Sequence, residues 1–242
     1  SFMGKVYSGP GAEGSRLGAD KWELLEAAER VPLEGVRIPR HEAVDRSEMV
    51  AAVSRLRSDA AWEHEFARIL GRVGSDALIC KPRRDGCSTG VKLLADSGSL
   101  RLLLTAIAEL RERIPADAFY PGSREIVLPT PMPRDWTFEQ AIQDDASDST
   151  LRPGSREWFE ARDYVELTCA VVEVEGRMRC ATPTIALSAD SELSLEEKFQ
   201  QGVGTNLLLS SYIEHDRLTT VQQRVESIAE VAGISGYSRI DC

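Results

Sequence analysis

A lysine and a glycine-containing segment fall together in one predicted β-hairpin and could bind a polyphosphate. Lys81 ends a short apolar run, and residues 85–90 read DGCSTG. Glycines let a backbone approach a ligand closely, and successive N–H groups with the hydroxyls of Ser88 and Thr89 can donate to phosphate oxygens. A lysine on the adjoining strand supplies positive charge for the same oxygens. The pattern fits a phosphate-binding loop or an ordinary hairpin tip, and alone it does not separate the two.

Carboxylates on later segments could recognise a sugar or a metal ion. Glu139 and Glu166 fall on two predicted strands that we expect to be neighbours. A carboxylate there can accept the hydroxyls of a ribose, while a strand edge can pair with adenine through backbone groups. Arg239 and Asp241 alternate with Ile240, so both should face one side of the last strand. An arginine beside an acidic residue fits phosphate plus Mg²⁺, and it equally fits a structural ion pair.

The glycines near the start carry less information. Gly9-x-Gly11-x-x-Gly14 matches the dinucleotide-binding fingerprint, but the strand that must precede it is missing or very short. No βαβ unit with an acidic residue in the proper place follows. We therefore interpret these glycines as a flexible turn.

Hydrophobic periodicity predicts helices and antiparallel hairpins in a mixed order, which favours the α+β class over a doubly wound parallel sheet. The segment 6–21 is predicted as a glycine-rich loop running into a helix, and 143–155 as an acidic surface loop. Predicted helices cover 22–30, 47–73 with a break near 58–59, 100–114 and 218–232. Predicted strands cover 76–81, 91–94, 125–128, 136–142, 162–175, 177–187 and 237–241.

Composition argues against several classes of protein. The net charge of −10 opposes binding to nucleic acid backbones, but a nucleotide pocket needs only a few local cations. No apolar run reaches the roughly 18 residues that span a bilayer, and the first residues lack the apolar core of a signal peptide. The five cysteines contain no CxxC pair, so reduced thiols in a cytoplasmic protein are favoured over a disulfide framework or a zinc site.

Taken in order, these pieces resemble the D-alanine–D-alanine ligase family of ATP-grasp enzymes. Six segments carry the resemblance: YSGPGAEGSRLGADK (7–21), LICKPRRDGCSTGV (78–91), WTFEQAI (136–142), YVELTCAVVE (164–173), SLEEKFQ (194–200) and GISGYSRIDC (233–242). The ordered set is far more specific than any single motif. The DGCSTG and SLEEKFQ variants, with the acidic insert, look most like plant and algal tandem ligase-like proteins, for which the compartment would be the plastid stroma.

The resemblance implies an α+β ATP-grasp fold with nucleotide between two lobes. Its parts would be an N-terminal loop (1–21), a central lobe (22–135) and an incomplete C-terminal lobe (136–242). ATP and Mg²⁺ would be the cofactors and a small amino acid the substrate, without nucleic acid or membrane partners. A homodimer is one expectation for the full-length protein.

Residue roles follow from the resemblance by position. They would be Lys21 and Lys81 at the ATP phosphates or adenine end, Gly86, Ser88 and Gly90 in the loop over the phosphates, Glu139 with the backbone of Ala141 and Ile142 at adenine, Glu166 at the ribose, Lys198 at the terminal phosphates, Arg239 at the negative charge of the reacting centre, and Asp241 on Mg²⁺. The family reaction phosphorylates the carboxylate of one D-alanine, and the amine of a second then attacks the acyl phosphate.

The chain also departs from the family pattern. Cys87 replaces the first serine of the family's G-S-S motif, and the insert 143–162 lengthens one connection. The family's N-terminal domain and its E-x-N metal-binding strand are not in the sequence, so we expect this chain to be an inactive fragment of a ligase. Two alternatives stay open: a non-catalytic ATP-grasp module that binds or senses nucleotide, and a ligase for another amino or hydroxy acid.

Overall fold

A computed structural model describes residues 9–30, 33–86, 88–142, 151–152, 154–187 and 205–242 of the chain. The chain divides into two compact units. We call them the Lys81 unit, formed by Asp20–Leu25 and Pro39–Ile142, and the Arg239 unit, formed by Ser1–Ala19, Glu26–Ile38 and Gln143–Cys242.

The described residues form helices and strands in mixed order. The helices are α1 (Ala12–Ala19), α2 (Lys21–Arg30), α3 (Arg46–Arg55), α4 (Asp59–Val73), α5 (Ser97–Ala108), α6 (Arg156–Glu160) and α7 (His215–Val231). The strands are β1 (His41–Asp45), β2 (Leu78–Pro82), β3 (Lys92–Leu94), β4 (Arg113–Ile114), β5 (Ile126–Val127), β6 (Asp135–Gln140), β7 (Leu167–Val174), β8 (Arg177–Cys180), β9 (Thr184–Leu187), β10 (Thr205–Leu208) and β11 (Tyr237–Asp241).

The Lys81 unit is built on a four-stranded antiparallel sheet in the order β1-β6-β2-β3. Helices α3, α4 and α5 supply its core, because their apolar residues recur at helical spacing and are removed from water. Its fully buried side chains include Met49, Leu78, Leu94, Leu100, Leu103, Ile107 and Trp136. This core packs against the paired strands β2 and β6, which carry Lys81 and Glu139 of the candidate site.

Local signals set the helix boundaries in this unit. Ser58 caps α4 by accepting from the N–H of Ala61, and Gly74 ends the helix in the left-handed conformation that glycine adopts without strain. This confirms the break predicted near 58–59. A reciprocal capping box between Asp96 and Ser99 starts α5.

The Arg239 unit contains a second antiparallel sheet in the order β10-β9-β7-β11, with β8 also paired to β7. One face of β7 is buried through Cys169 and Val171, against Val225 and Ala229 of α7. The other face carries Thr168, Ala170 and Val172 on alternate positions. Arg239 and Asp241 lie opposite Ala170 and Thr168 in the β7–β11 register.

The α+β prediction is confirmed, since mixed helices pack on antiparallel sheets. Several element predictions were wrong in detail. Residues 12–19 form a helix rather than a loop, and the buried Gly14 allows close approach to the backbone at 233–234, where a Cβ would lie 2.6 Å from the oxygen of Gly233. The GxGxxG segment therefore contributes close packing rather than a flexible turn.

Other differences concern strands. Strand β1 was not predicted, and the predicted strand 177–187 divides into β8 and β9 because Pro183, between them, has no N–H for a ladder. The predicted helix 100–114 ends at Ala108, and Ile114 instead pairs with Ile126. Glu139 and Glu166 are not on neighbouring strands: β6, which carries Glu139, pairs with β1 and β2, while Glu166 directly precedes β7 in the other sheet. Within the described ranges, no helix is long and apolar enough to cross a membrane.

Candidate nucleotide site

Lys21, Lys81 and Glu139, which are far apart in the sequence, lie close together in the Lys81 unit. Lys81 is opposite Thr137 in the β2–β6 register, so Glu139, two residues further along β6, projects from the same face. The Lys81 Nζ lies 2.6 Å from Glu139 Oε2, and the Glu139 side chain is only 6 % exposed. The Thr137 hydroxyl donates to the other Glu139 oxygen at 3.1 Å. The buried Glu139 carboxylate therefore forms a hydrogen-bonded ion pair with the half-buried Lys81.

The Lys21 ammonium group completes this cluster. It donates to the backbone oxygens of Pro82, at 3.3 Å, and of Asp85. Burial lowers the pKa of Lys21, and the neighbouring Lys81 lowers it further, while Asp85, Glu139 and Asp20 oppose the shift. Two cations held this close repel each other, and an added anion would relieve that repulsion. The cluster is thus suited to a negatively charged ligand.

Asp20 and Arg83 form a network that the sequence did not predict. Asp20 is 1 % exposed and accepts from Arg83 Nε at 2.6 and 2.8 Å and from Arg84 Nε at 2.7 Å. The Arg83 guanidinium also lies 4.8 Å from the centre of the Trp22 ring. Burial acts to raise the pKa of Asp20, but hydrogen bonds from Arg83, the Glu23 N–H and Arg84 outweigh it and hold the pKa at about 2. The only sequence signal for this network was an acidic residue before Lys21 and two arginines after Pro82.

The loop after β2 is tightly turned, and many of its N–H groups already have partners. The N–H of Gly86 donates to the Asp85 side chain, that of Thr89 to Gly86 O, and that of Gly90 to Val127 O. Ser88 has a positive φ of 59°. Gly90 has a φ of 68°, and a Cβ there would lie 3.1 Å from side-chain atoms of Pro82 and Pro129.

In this conformation, a phosphate group would therefore depend mainly on the ammonium groups of Lys21 and Lys81. The predicted phosphate contacts of Gly86, Ser88 and Gly90 stay predictions. Cys87 lies outside the described residues.

The end of β6 shows which backbone groups are already used. The N–H of Ala141 donates to Ala77 O at 3.2 Å, so it is not open to a ligand in this state. The Ile142 side chain is 56 % exposed. The predicted adenine contacts of Glu139 and of the Ala141 and Ile142 backbone stay predictions, and the Ala141 contribution would have to come from its carbonyl oxygen.

In the Arg239 unit, three of the predicted residues lie at one exposed sheet face. Asp241 accepts from the Thr168 hydroxyl at 3.1 Å and from Arg239 at 3.0 Å. Glu166 is exposed, directly precedes β7, and lies two residues from Thr168. Alternation along the strand places Glu166 on the same side as Thr168, Arg239 and Asp241.

Mg²⁺ prefers oxygen ligands and is commonly held by one or two carboxylates plus phosphates and water. Asp241 fits such a role, because its carboxylate lies on this exposed face of the sheet. Its pairing with Arg239 would have to loosen when a metal ion binds. Lys198 lies outside the described residues, so its role stays a prediction.

Cys80, Cys169, Cys180 and Cys242 are free thiols in the structure, and the predicted reduced state of the cysteines stays a prediction.

The fold is similar to that of known ligases. D-alanyl-alanine synthetase A from Vibrio cholerae O1 biovar eltor matches 98% of this chain with a TM-score of 0.58 and 14% identity. The D-alanine–D-alanine ligase of Bacillus anthracis matches 99% with a TM-score of 0.55 and 15% identity, and one structure of that enzyme is complexed with ATP. The VanG D-Ala:D-Ser ligase of Enterococcus faecalis matches 97% with a TM-score of 0.56 and 15% identity.

These similarities show the ATP-grasp fold of D-alanine–D-alanine ligases. This chain spans about half the length of those proteins, namely 55%, 57% and 50% of the three ligases. No family model matches the sequence, and a comparison with curated proteins also found no match.

Proposed function

We propose that this chain binds ATP and forms the nucleotide-binding part of an ATP-dependent carboxylate–amine ligase of the D-alanine–D-alanine ligase type. The observation that carries the proposal is the convergence of Lys21, Lys81 and Glu139 from three separate motifs in the Lys81 unit. The fold supports it, since solved ligases of this fold include one complexed with ATP.

The residues of the Lys81 unit would bind the nucleotide. Lys81 and Lys21 would neutralise phosphate oxygens, and an arriving anion relieves their mutual repulsion. Glu139 holds Lys81 in place through the 2.6 Å ion pair. The glycines of the loop after β2 and the backbone at Ala141 and Ile142 would complete the phosphate and adenine contacts.

The residues of the Arg239 unit would serve the ribose and the reacting phosphoryl group. Glu166 would accept the ribose hydroxyls, and Arg239 would stabilise negative charge as it develops. Asp241 would hold Mg²⁺, which when bound offsets the charge on the phosphates. Lys198 would contact the terminal phosphates. The carboxylate substrate would be activated as an acyl phosphate and then attacked by an amine.

The amino-acid substrate is a separate proposal. We propose D-alanine as the carboxylate donor, in synthesis of a peptidoglycan-type precursor. The acceptor is less constrained, because the VanG D-Ala:D-Ser ligase has about the same structural similarity to this chain as the enzymes named for D-alanine. A ligase for another amino or hydroxy acid therefore stays the second candidate.

Protection of the folded chain by ATP–Mg²⁺ tests the proposal. A ligand at 100-fold over its Kd adds about 2.7 kcal/mol to the free energy of unfolding. We expect wild-type chain to show protection of this kind, and Lys81→Met and Glu166→Ala each to lose most of it. The quantity compared is the shift between nucleotide-free and nucleotide-bound samples of the same variant, so a loss of basal stability does not enter.

Two matched variants serve as controls. Arg101→Met removes an exposed cation paired with Asp59 in the Lys81 unit, and Glu160→Ala removes an exposed carboxylate paired with Arg156 in the Arg239 unit. Both should keep full protection. Unchanged protection in Lys81→Met and Glu166→Ala would place the nucleotide elsewhere and reject the proposed site.

A further inference from the structure

Asp20 is a buried carboxylate with more hydrogen-bond partners than helix capping requires. It caps α2 by accepting from the Glu23 N–H at 3.0 Å, and its oxygens also accept from Arg83 and Arg84 at 2.6–2.8 Å. Arg83 adds a contact to Glu23 at 3.1 Å and lies over the Trp22 ring. A carboxylate with this many charge-assisted bonds is fixed in position.

Lys21, the next residue, also contacts the segment that contains Arg83 and Arg84. The N–H of Lys21 donates to Arg83 O at 3.1 Å, and its ammonium group donates to the backbone oxygens of Pro82 and Asp85. Within the segment 82–85, Asp20 therefore contacts the arginine side chains, and Lys21 contacts the backbone carbonyl groups. Lys81 lies directly before that segment in β2.

We propose that Asp20, held by Arg83, is a positioning residue that fixes the Lys21 ammonium group beside Lys81 and Glu139. The interpretation of this cluster as a nucleotide site rests on the proposed function, but the positioning role itself does not.

The charges around Lys21 explain why a positioning residue is needed. The group faces a second cation, Lys81, whose positive charge repels it, and the carboxylates of Asp20, Asp85 and Glu139 act against that repulsion. Among these, Asp20 is the neighbour in sequence and is anchored to both arginines. Without it, the flexible lysine side chain gains by moving into water.

The test is competitive acetylation of the lysines as a function of pH, read by peptide mass spectrometry. Cleavage at arginine places Lys21 in the peptide 17–30, separate from the other lysines. If Asp20 positions Lys21, Asp20→Asn frees the amine, and its titration midpoint moves up toward that of an ordinary lysine. If Asp20 acts only as a nearby charge, Lys21 stays beside Lys81 and its midpoint falls or stays unchanged.

Asp45→Asn is a matched control, because Asp45 also caps a helix, α3, and pairs with an arginine, Arg134, at 2.6 Å. It should leave the Lys21 midpoint unchanged. Arg83→Gln should raise the midpoint as Asp20→Asn does while keeping the α2 cap. Because the loss of a nearby cation also raises the pKa of an ammonium group, the charge-conserving variant Arg83→Lys decides the matter if Asp20→Asn fails to fold. Arg83→Lys keeps the charge but not the fork of donors and should restore only part of the effect.

ATP–Mg²⁺ titration of the same proteins separates this inference from the proposed function. We expect Asp20→Asn and Arg83→Gln each to raise the Kd for ATP–Mg²⁺ roughly tenfold, the scale on which loss of a residue that orients a binding group usually acts. Asp45→Asn should keep the wild-type Kd. A Lys21 midpoint that falls or stays in both variants overturns the positioning role even if ATP binds. If the Lys21 midpoint rises in the variants but the wild-type chain binds no ATP, the result supports the positioning role and rejects the proposed nucleotide function.

Discussion

Replacing Lys81 by methionine should destabilise the Lys81 unit, because it leaves the Glu139 carboxylate buried without its closest counter-charge. The two groups lie 2.6 Å apart, with side chains 21 % and 6 % exposed. At an effective dielectric constant of about 20, the gross attraction over that distance is about 6 kcal/mol. Desolvation of both ions offsets much of it, and removing one partner of a buried pair typically costs about 3–5 kcal/mol.

We expect a loss near the lower end, about 3 kcal/mol, because the Thr137 hydroxyl and Lys21 still stabilise the carboxylate. Native-state hydrogen exchange over 78–82 and 135–140 measures the change in these two strands alone, independently of the other unit. The double variant Lys81→Met/Glu139→Gln should recover most of the loss, since no unpaired charge then remains. A loss below about 1 kcal/mol, or a double variant as unstable as Lys81→Met, would refute the buried-pair account.

Three further predictions concern acid stability, loop strain and the ribose contact. The pKa of Asp20 is held at about 2, below its ordinary value of 3.8, so its contribution of about 2 kcal/mol to the free energy of unfolding is complete above about pH 4 and is lost as the pH falls toward 2. In urea denaturation across that range, Asp20→Asn should lose about 2 kcal/mol less than wild type, while other carboxylates with a lowered pKa, such as Asp45, contribute to the loss in both proteins; an equal loss in both would contradict the assignment. Gly90→Ala should lower the free energy of unfolding by about 2 kcal/mol, because Gly90 has a positive φ and crowded neighbours. Gly86→Ala, with nothing within 4 Å of the added Cβ, should lower it by under about 1 kcal/mol in thermal denaturation, and equal losses would argue against strain at Gly90. Glu166→Ala should weaken the binding of ATP more than the binding of a ribose-free polyphosphate such as tripolyphosphate, as measured by calorimetric titration. Equal weakening of both would show that Glu166 does not contact the ribose.

Hydrophobic pattern and turn residues predicted the hairpin of β2 and β3, the break between α3 and α4, and strand β11, because each depends on local signals. Strand β1 was missed because its sequence, HEAVD, is mostly polar, and its pairing with β6 depends on partners 90 to 98 positions away. Glu139 and Glu166 were wrongly placed on neighbouring strands, since strand order is a property of the sheet and not of chain order.

The candidate site was predictable to a different extent in each unit. The motif positions alone pointed to Lys81, Glu139, Arg239 and Asp241, but not to the partners that fix them. Asp20 and Arg83 are separated by 63 positions, and their bond exists only after α2 packs beside the end of β2. Whether a backbone N–H of the loop is open or already bonded also depends on tertiary contacts, such as that of Gly90 with Val127.

The most direct test of the central claim is a crystal structure of the chain with a non-hydrolysable ATP analogue and Mg²⁺. We predict phosphate oxygens within hydrogen-bond distance of Lys81 Nζ, roughly 3 Å, with Lys21 in contact with the same polyphosphate. Polyphosphate bound away from Lys21 and Lys81, with the Lys81–Glu139 pair unchanged, would contradict it.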